Sequence, residues 1–271
     1  MNDDLSLYDT SGLRLGKKDA VRPAGLRDLR QYVPDGFPPP PASFGVLRDL
    51  QAVPWGMDGN DTVGDCTIAG ADHVIAAENA WLGTEDPRPT LQVLEAQYQQ
   101  LSPGDTGCVI AEVLRDWRAD GLFSMPGGTN RIGLYAPFDH ADQTEFCQVV
   151  SFTGIAYLGI QCPRSAQQQY AKQCQSGQLV PWTVVPPSPI EGGHCIVAVG
   201  YTTAGLYCVT WGGVVLATWE FIARYCDEAW ALISQELGEK GADTLGIDVG
   251  NLAADLDALS EHPGALAVQS R

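Results

Sequence analysis

The chain has 271 residues, 45% of them hydrophobic and seven of them tryptophan, which is enough apolar side chain for a packed core in one large or two small domains. A net charge of -17 disfavours phosphate backbones and anionic lipid, so neither nucleic acid nor a membrane is expected as a partner. No apolar run reaches the roughly 18 residues of a membrane span, and Met1 to Leu5 lack a basic, then apolar, leader pattern, so the expected location is the cytoplasm or a larger assembly.

Residues 1–54 read as an extended arm. Arg14, Lys17, Lys18, Arg22, Arg27, Arg30 and Arg48 concentrate here, and Pro34 and the run Pro38 to Pro41 impose extended geometry. Such an arm fits three roles: a propeptide over a cleft, a strap along its own domain, or a tether to other subunits. The prolines break any long helix in this segment, which favours a strap or an assembly arm, with homo- or hetero-oligomers forming through residues 1–54.

Trp55 to Asp65 is a loop rich in glycine and aspartate. It lacks the glycine at Val63 and the glutamate at Ala69 that a calcium loop requires. The spacing of Ile68, Ala71, Val74, Ile75, Trp81 and Leu82 then predicts a helix that opens at Cys66. Unpaired N–H groups and the positive helix end favour a thiolate there, which makes Cys66 a candidate nucleophile. A buried structural cysteine is the equally weighted alternative. His73 lies about two turns along the same helix, too far to activate the thiol, and reads as structural or exposed. Helices follow over Thr90 to Leu101 and from Cys108 towards Gly121. Residues 122–138 suggest a loop and a short strand, residues 139–152 a helix with a solvated His140, Ile155 to Ile160 a strand, and Ser165 to Cys174 a short helix.

Glu191 to Tyr201 reads as a buried strand entered through Gly192 and Gly193, with His194 at its head. A histidine so placed is usually a core or edge residue, yet a thiol nucleophile needs one distant in sequence and adjacent in space. Leu206 to Trp211, Val214 to Leu216 and Trp230 to Ile233 complete a curved antiparallel sheet, and Thr218 caps a short helix. Leu252, Leu256 and Leu259 mark a terminal helix, and His262 is expected to be exposed. The eight cysteines are expected to be reduced and mostly buried. None forms a Cys-x-x-Cys pair, and no metal or cofactor is expected.

The blocks Asn60 to Gly70, Glu191 to Tyr201 and Tyr207 to Gly213 resemble, in order and spacing, the papain-like cysteine peptidases, in a divergent phage or bacterial form, over roughly residues 55–235. The resemblance implies an α+β fold, with a helical half carrying the cysteine packed on a curved antiparallel β half carrying the histidine. It divides the chain into the arm at 1–54, a papain-like domain at 55–238 and a tail with a short helix at 239–271. Cys66 and His194 would form a catalytic dyad acting on a peptide or protein substrate, at peptide or isopeptide bonds. Asn60 stands where the family has its oxyanion glutamine, with Gly64, Gly193 and Trp211 in supporting positions. The third catalytic position, an asparagine in the family, is Val209, which cannot accept a hydrogen bond from the imidazole; its neighbour Thr210 is expected on the other face of the strand. The alternatives are a papain-fold structural or binding protein with an unused dyad, such as a phage virion component assembling through its arm, and a transferase or amidase on the same scaffold.

Overall fold

The longest helix forms where the sequence offers small and apolar residues without proline. The computed structural model of the chain describes residues 4–83, 85, 87–234 and 246–261. After a short helix α1 (Leu47–Ala52), this central helix is α2 (Cys66–Leu82). Residues 66–77 are buried on every face, as expected for a helix that is apolar all round. Gly83 ends it in the left-handed conformation at φ 64°. Two buried polar residues inside it are paired: Asp72 with the Arg88 guanidinium, and His73 Nε2 with the Gly56 carbonyl at 2.8 Å and Asp58 Oδ2 at 3.2 Å. His73 is thus a buried structural residue. Beside α2 pack α3 (Leu91–Leu101) and α4 (Ile110–Ala119), whose Leu94, Tyr98, Val113, Leu114 and Trp117 face the core.

A small hairpin, β1 (Leu122–Met125) and β2 (Gly128–Asn130), precedes the main sheet. That sheet contains β3 (Ile132–Pro137), β4 (Ala156–Pro163), β5 (Ile190–Thr202), β6 (Gly205–Thr210), β7 (Gly213–Thr218) and β8 (Cys226–Ser234). Its order is β3-β8-β4-β5-β6-β7, with every neighbouring pair antiparallel. The connections hold α5 (Gln143–Thr153), α6 (Arg164–Ser176) and α7 (Trp219–Tyr225), with the Asp142 and Thr218 side chains capping α5 and α7. The last helix is α8 (Val249–Glu261). The fold is therefore mixed α+β, with α2 packed against β5 and β6. No described helix is long and apolar enough to cross a membrane. His262 and the expected boundary at residues 238 and 239 lie outside the described residues.

One irregularity decides which side chains reach the site. Near the hairpin end, Thr202 faces Gly205 and Gly200 faces Tyr207, but further along Ala198 faces Cys208 and Val197 faces Val209. An extra residue in β5, at Val199, shifts the pairing by one. A one-residue shift exchanges the faces on which partners meet. Past the bulge, Thr210 shares the face of His194 and Ile196, while Val209 turns into the core on the other side.

The arm runs along its own domain. Leu26, Leu29, Tyr32, Val33 and Leu50 are buried in the common core. Tyr32 Oη donates to Asp255 at 2.6 Å, and Arg30 pairs with Asp142 at 2.9 Å. Phe44 and Tyr201 exchange backbone hydrogen bonds of 3.0 and 2.8 Å.

Candidate active site

Cys66 is the first residue of α2, and its Sγ accepts a hydrogen bond from the Cys195 N–H at 3.4 Å. That contact sets the sulfur against the peptide joining His194 to Cys195, in β5. No hydrogen bond joins the side chains of Cys66 and His194. His194 Nε2 lies 2.7 Å from Thr210 Oγ1, and Nδ1 is buried without a hydrogen-bond partner. The imidazole stacks on the Trp211 indole, with centroids 4.3 Å apart and planes 18° apart. Trp211 sits in a two-residue turn between β6 and β7, with φ 43° at Trp211 and 78° at Gly212, and Thr210 opposite Gly213.

The expectation for the residues before Trp211 is corrected on the ground of register. The bulge in β5 puts Val209, not Thr210, on the far face, and Thr210 supplies the polar neighbour that Val209 lacks. Asn60 is buried, and its amide donates to the Val63 carbonyl at 3.2 Å, so it is turned into its own loop. Gly64 donates its N–H to Asp105 Oδ1 at 2.9 Å. Between Gly64 and Cys66 stands Asp65, fully buried with no hydrogen-bond donor on either carboxyl oxygen.

Burial dominates the electrostatics. It pushes the Cys66 thiol up to about 12, against the opposing influence of the Cys195 and Gly16 backbone N–H groups. It pushes the His194 imidazole down to about 3. The Asp65 carboxyl is raised to about 8, again by burial, although the nearby Asn60 amide favours its charged form. The helix N-terminus was expected to lower the thiol pKa; in this structure desolvation outweighs it, and thiol, imidazole and carboxyl are all neutral at pH 7. All eight cysteines are free, and six of them are buried.

The arm lies against the site. The Lys17 N–H donates to the Gly193 carbonyl at 3.0 Å, on the β side. The Cys108 N–H donates to the Gly16 carbonyl at 2.9 Å and Lys18 N–H to the Cys108 carbonyl at 2.8 Å, on the helical side. Arg14 N–H reaches the Asn60 carbonyl at 3.0 Å, and the Trp211 indole N–H donates to the Arg14 carbonyl at 3.0 Å. Glycines make this approach possible. A Cβ on Gly16 would fall within the Gly64 carbonyl, and one on Gly193 within the Lys17 carbonyl. Residues 14–18 thus span the seam between α2 and β5, over Cys66. Thr210, Asp65 and this segment are the site features that the linear motifs did not reveal.

No protein-family model and no curated protein matches the chain. Solved structures do. Xylellain, a cysteine protease from Xylella fastidiosa, is similar with a TM-score of 0.56 and 13% identity, over 84% of this chain and 97% of that one. A procathepsin B from Trypanosoma congolense is similar with a TM-score of 0.54 and 12% identity, over 86% and 90% of the two chains. Digestive procathepsin L 3 of Tenebrio molitor gives 0.52 and 12%, over 83% and 77%. Helices in one half, an antiparallel sheet in the other and these likenesses together make the chain's fold that of the papain-like cysteine proteases.

Proposed function

We propose that the chain is a thiol hydrolase of peptide bonds, with Cys66 as nucleophile and His194 as proton carrier, held closed by residues 14–18 of its own arm. The observation that carries this reading is the meeting of the Cys66 sulfur with the His194–Cys195 peptide at the mouth of α2, under a segment bound through its backbone. When the segment withdraws, water reaches the sulfur and the imidazole, and the desolvation that keeps both neutral is relieved. The first-turn N–H groups of α2 then favour the thiolate.

In this mechanism His194 keeps its proton on Nε2, donated to Thr210, which leaves Nδ1 to take the thiol proton. The thiolate forms a C–S bond to the substrate carbonyl carbon. The oxyanion is received by the Cys66 N–H, joined by the Asn60 amide once it turns from Val63. Nδ1 returns its proton to the leaving amine, and water hydrolyses the thioester.

The test compares wild type, Gly16→Ala, which cannot seat the arm against Gly64, and Gly16→Ala with His194→Ala. Cys66 alkylation by iodoacetamide is followed against pH, alongside hydrolysis of denatured casein. The expected outcome is a slow wild type, an opened variant at least about tenfold faster with an apparent thiol pKa below the ordinary ~8.5, and loss of that advantage without His194. An opened variant whose thiol titrates normally and cleaves nothing sinks the hydrolase reading. It would favour the alternative, a papain-fold structural protein such as a virion component.

A further inference from the structure

Among residues 11–20, Lys17 alone is buried. Its ammonium lies 3.0 Å from Asp227 Oδ2 and 3.1 Å from Glu228 Oε1, and donates to the Lys18 carbonyl at 2.9 Å. Three donors meet three acceptors. The pocket is held in shape by groups other than Lys17: Gln161 Nε2 donates to Asp227 Oδ2 at 2.6 Å, and the Trp230 indole N–H to Glu228 Oε2 at 2.8 Å. Glu228 is 7% exposed, and its Oε1 has no partner other than the ammonium it faces. Gly159 forms a wall, where a Cβ would stand 2.5 Å from Lys17 Cε. The shape admits a straight alkyl stem, and its base sets two carboxylates against one ammonium.

The rest of this stretch is held through its main chain, by the bonds to Gly193 and Cys108. Main-chain bonds for affinity and a side-chain pocket for choice is how an extended peptide is recognised. We propose that the pocket of Gly159, Asp227 and Glu228 is a recognition site for a lysine side chain, so that peptides entering the cleft carry lysine where Lys17 now sits, next to the residue over Cys66. As selection of a substrate, this rests on the hydrolase reading; as recognition of a peptide, it does not. Methionine would leave the buried Glu228 Oε1 without a partner, and a neutral glutamine would bring no charge to the two carboxylates. An arginine reaches one atom further and meets the carboxylates before its fork is seated.

The test uses the full-length double variant Gly16→Ala, Lys17→Ala, which unseats the segment and vacates the pocket, with Gly16→Ala, Lys17→Ser as a second variant should the first fail to fold. Two blocked peptides, Leu-Gly-Lys-Ala-Asp and Leu-Gly-Met-Ala-Asp, are titrated for protection of Cys66 against iodoacetamide. The lysine peptide is expected to protect at a concentration at least about tenfold lower, and adding Glu228→Gln is expected to erase the difference. Equal protection by both peptides, or by neither, overturns the pocket. Hydrolysis is read separately: cleavage without lysine preference overturns the pocket and leaves the hydrolase, whereas lysine-selective protection without cleavage overturns the hydrolase and leaves the pocket.

Discussion

The Thr210 hydroxyl makes the hydrogen bond that the structure gives the His194 ring, at Nε2. Thr210→Val keeps the shape and leaves a buried ring nitrogen unpaired, which should lower the unfolding free energy by about 1–3 kcal/mol in urea titrations. Thr210→Ser should recover most of that loss; equal losses in both variants would mean that methyl packing, not the hydrogen bond, is what matters. Asp65 makes a different prediction, through pH. Its carboxyl is raised from 3.8 to about 8 by burial, so the folded protein holds a proton that the unfolded chain releases within that range. Stability from the neutral acid is complete below pH 3.8 and declines as pH rises to about 8. His194 runs the opposite way. Its pKa is pushed from 6.5 to about 3, so its contribution is complete above pH 6.5 and declines as pH falls. Relative to wild type, Asp65→Asn should therefore gain stability between pH 5 and pH 8, by at most about 1.4 kcal/mol per pH unit. Parallel stability curves for the two proteins would refute the buried neutral acid.

At the scale of elements, what the linear pattern reveals is what local chemistry determines. The helix opening at Cys66 and the buried strand headed by His194 are both present, because a proline-free run of small apolar residues and a β-rich run behind two glycines each have one packed solution. The face on which Thr210 meets His194 was not legible. It depends on a bulge at Val199, and nothing in Ala198-Val199-Gly200 distinguishes a bulged strand from a regular one. The lysine pocket was still further out of reach. Lys17 and Asp227 are 210 residues apart and belong to segments whose meeting depends on the whole topology. Gly16, Gly64 and Gly193 did carry a signal. Gly64 and Gly193 read as motif supports, and together with Gly16 they are places where one backbone passes close to another, which is how a cleft accommodates an extended segment.

At the scale of the whole molecule, the arm combines two parts with different consequences. Residues 14–18 cover the seam through backbone bonds and Lys17, whereas Leu26, Leu29, Tyr32, Val33 and Leu50 belong to the core. Burying a large apolar side chain contributes about 1.5–3 kcal/mol, so losing these five removes an amount comparable with the total stability of an ordinary domain, about 5–15 kcal/mol. Deletion of residues 1–54 should therefore abolish cooperative thermal unfolding, and would say nothing about whether the arm restrains the thiol. Deletion of residues 1–18 takes away the cover and its buried ion pair but leaves that core intact. The shorter truncation should melt cooperatively, at a lower temperature than the full chain, with Cys66 alkylated faster. If it folds and Cys66 stays as slow as in the full chain, the burial of the thiol comes from the packing of α2 on β5 alone, and the arm is a strap for stability instead of a cover for the site.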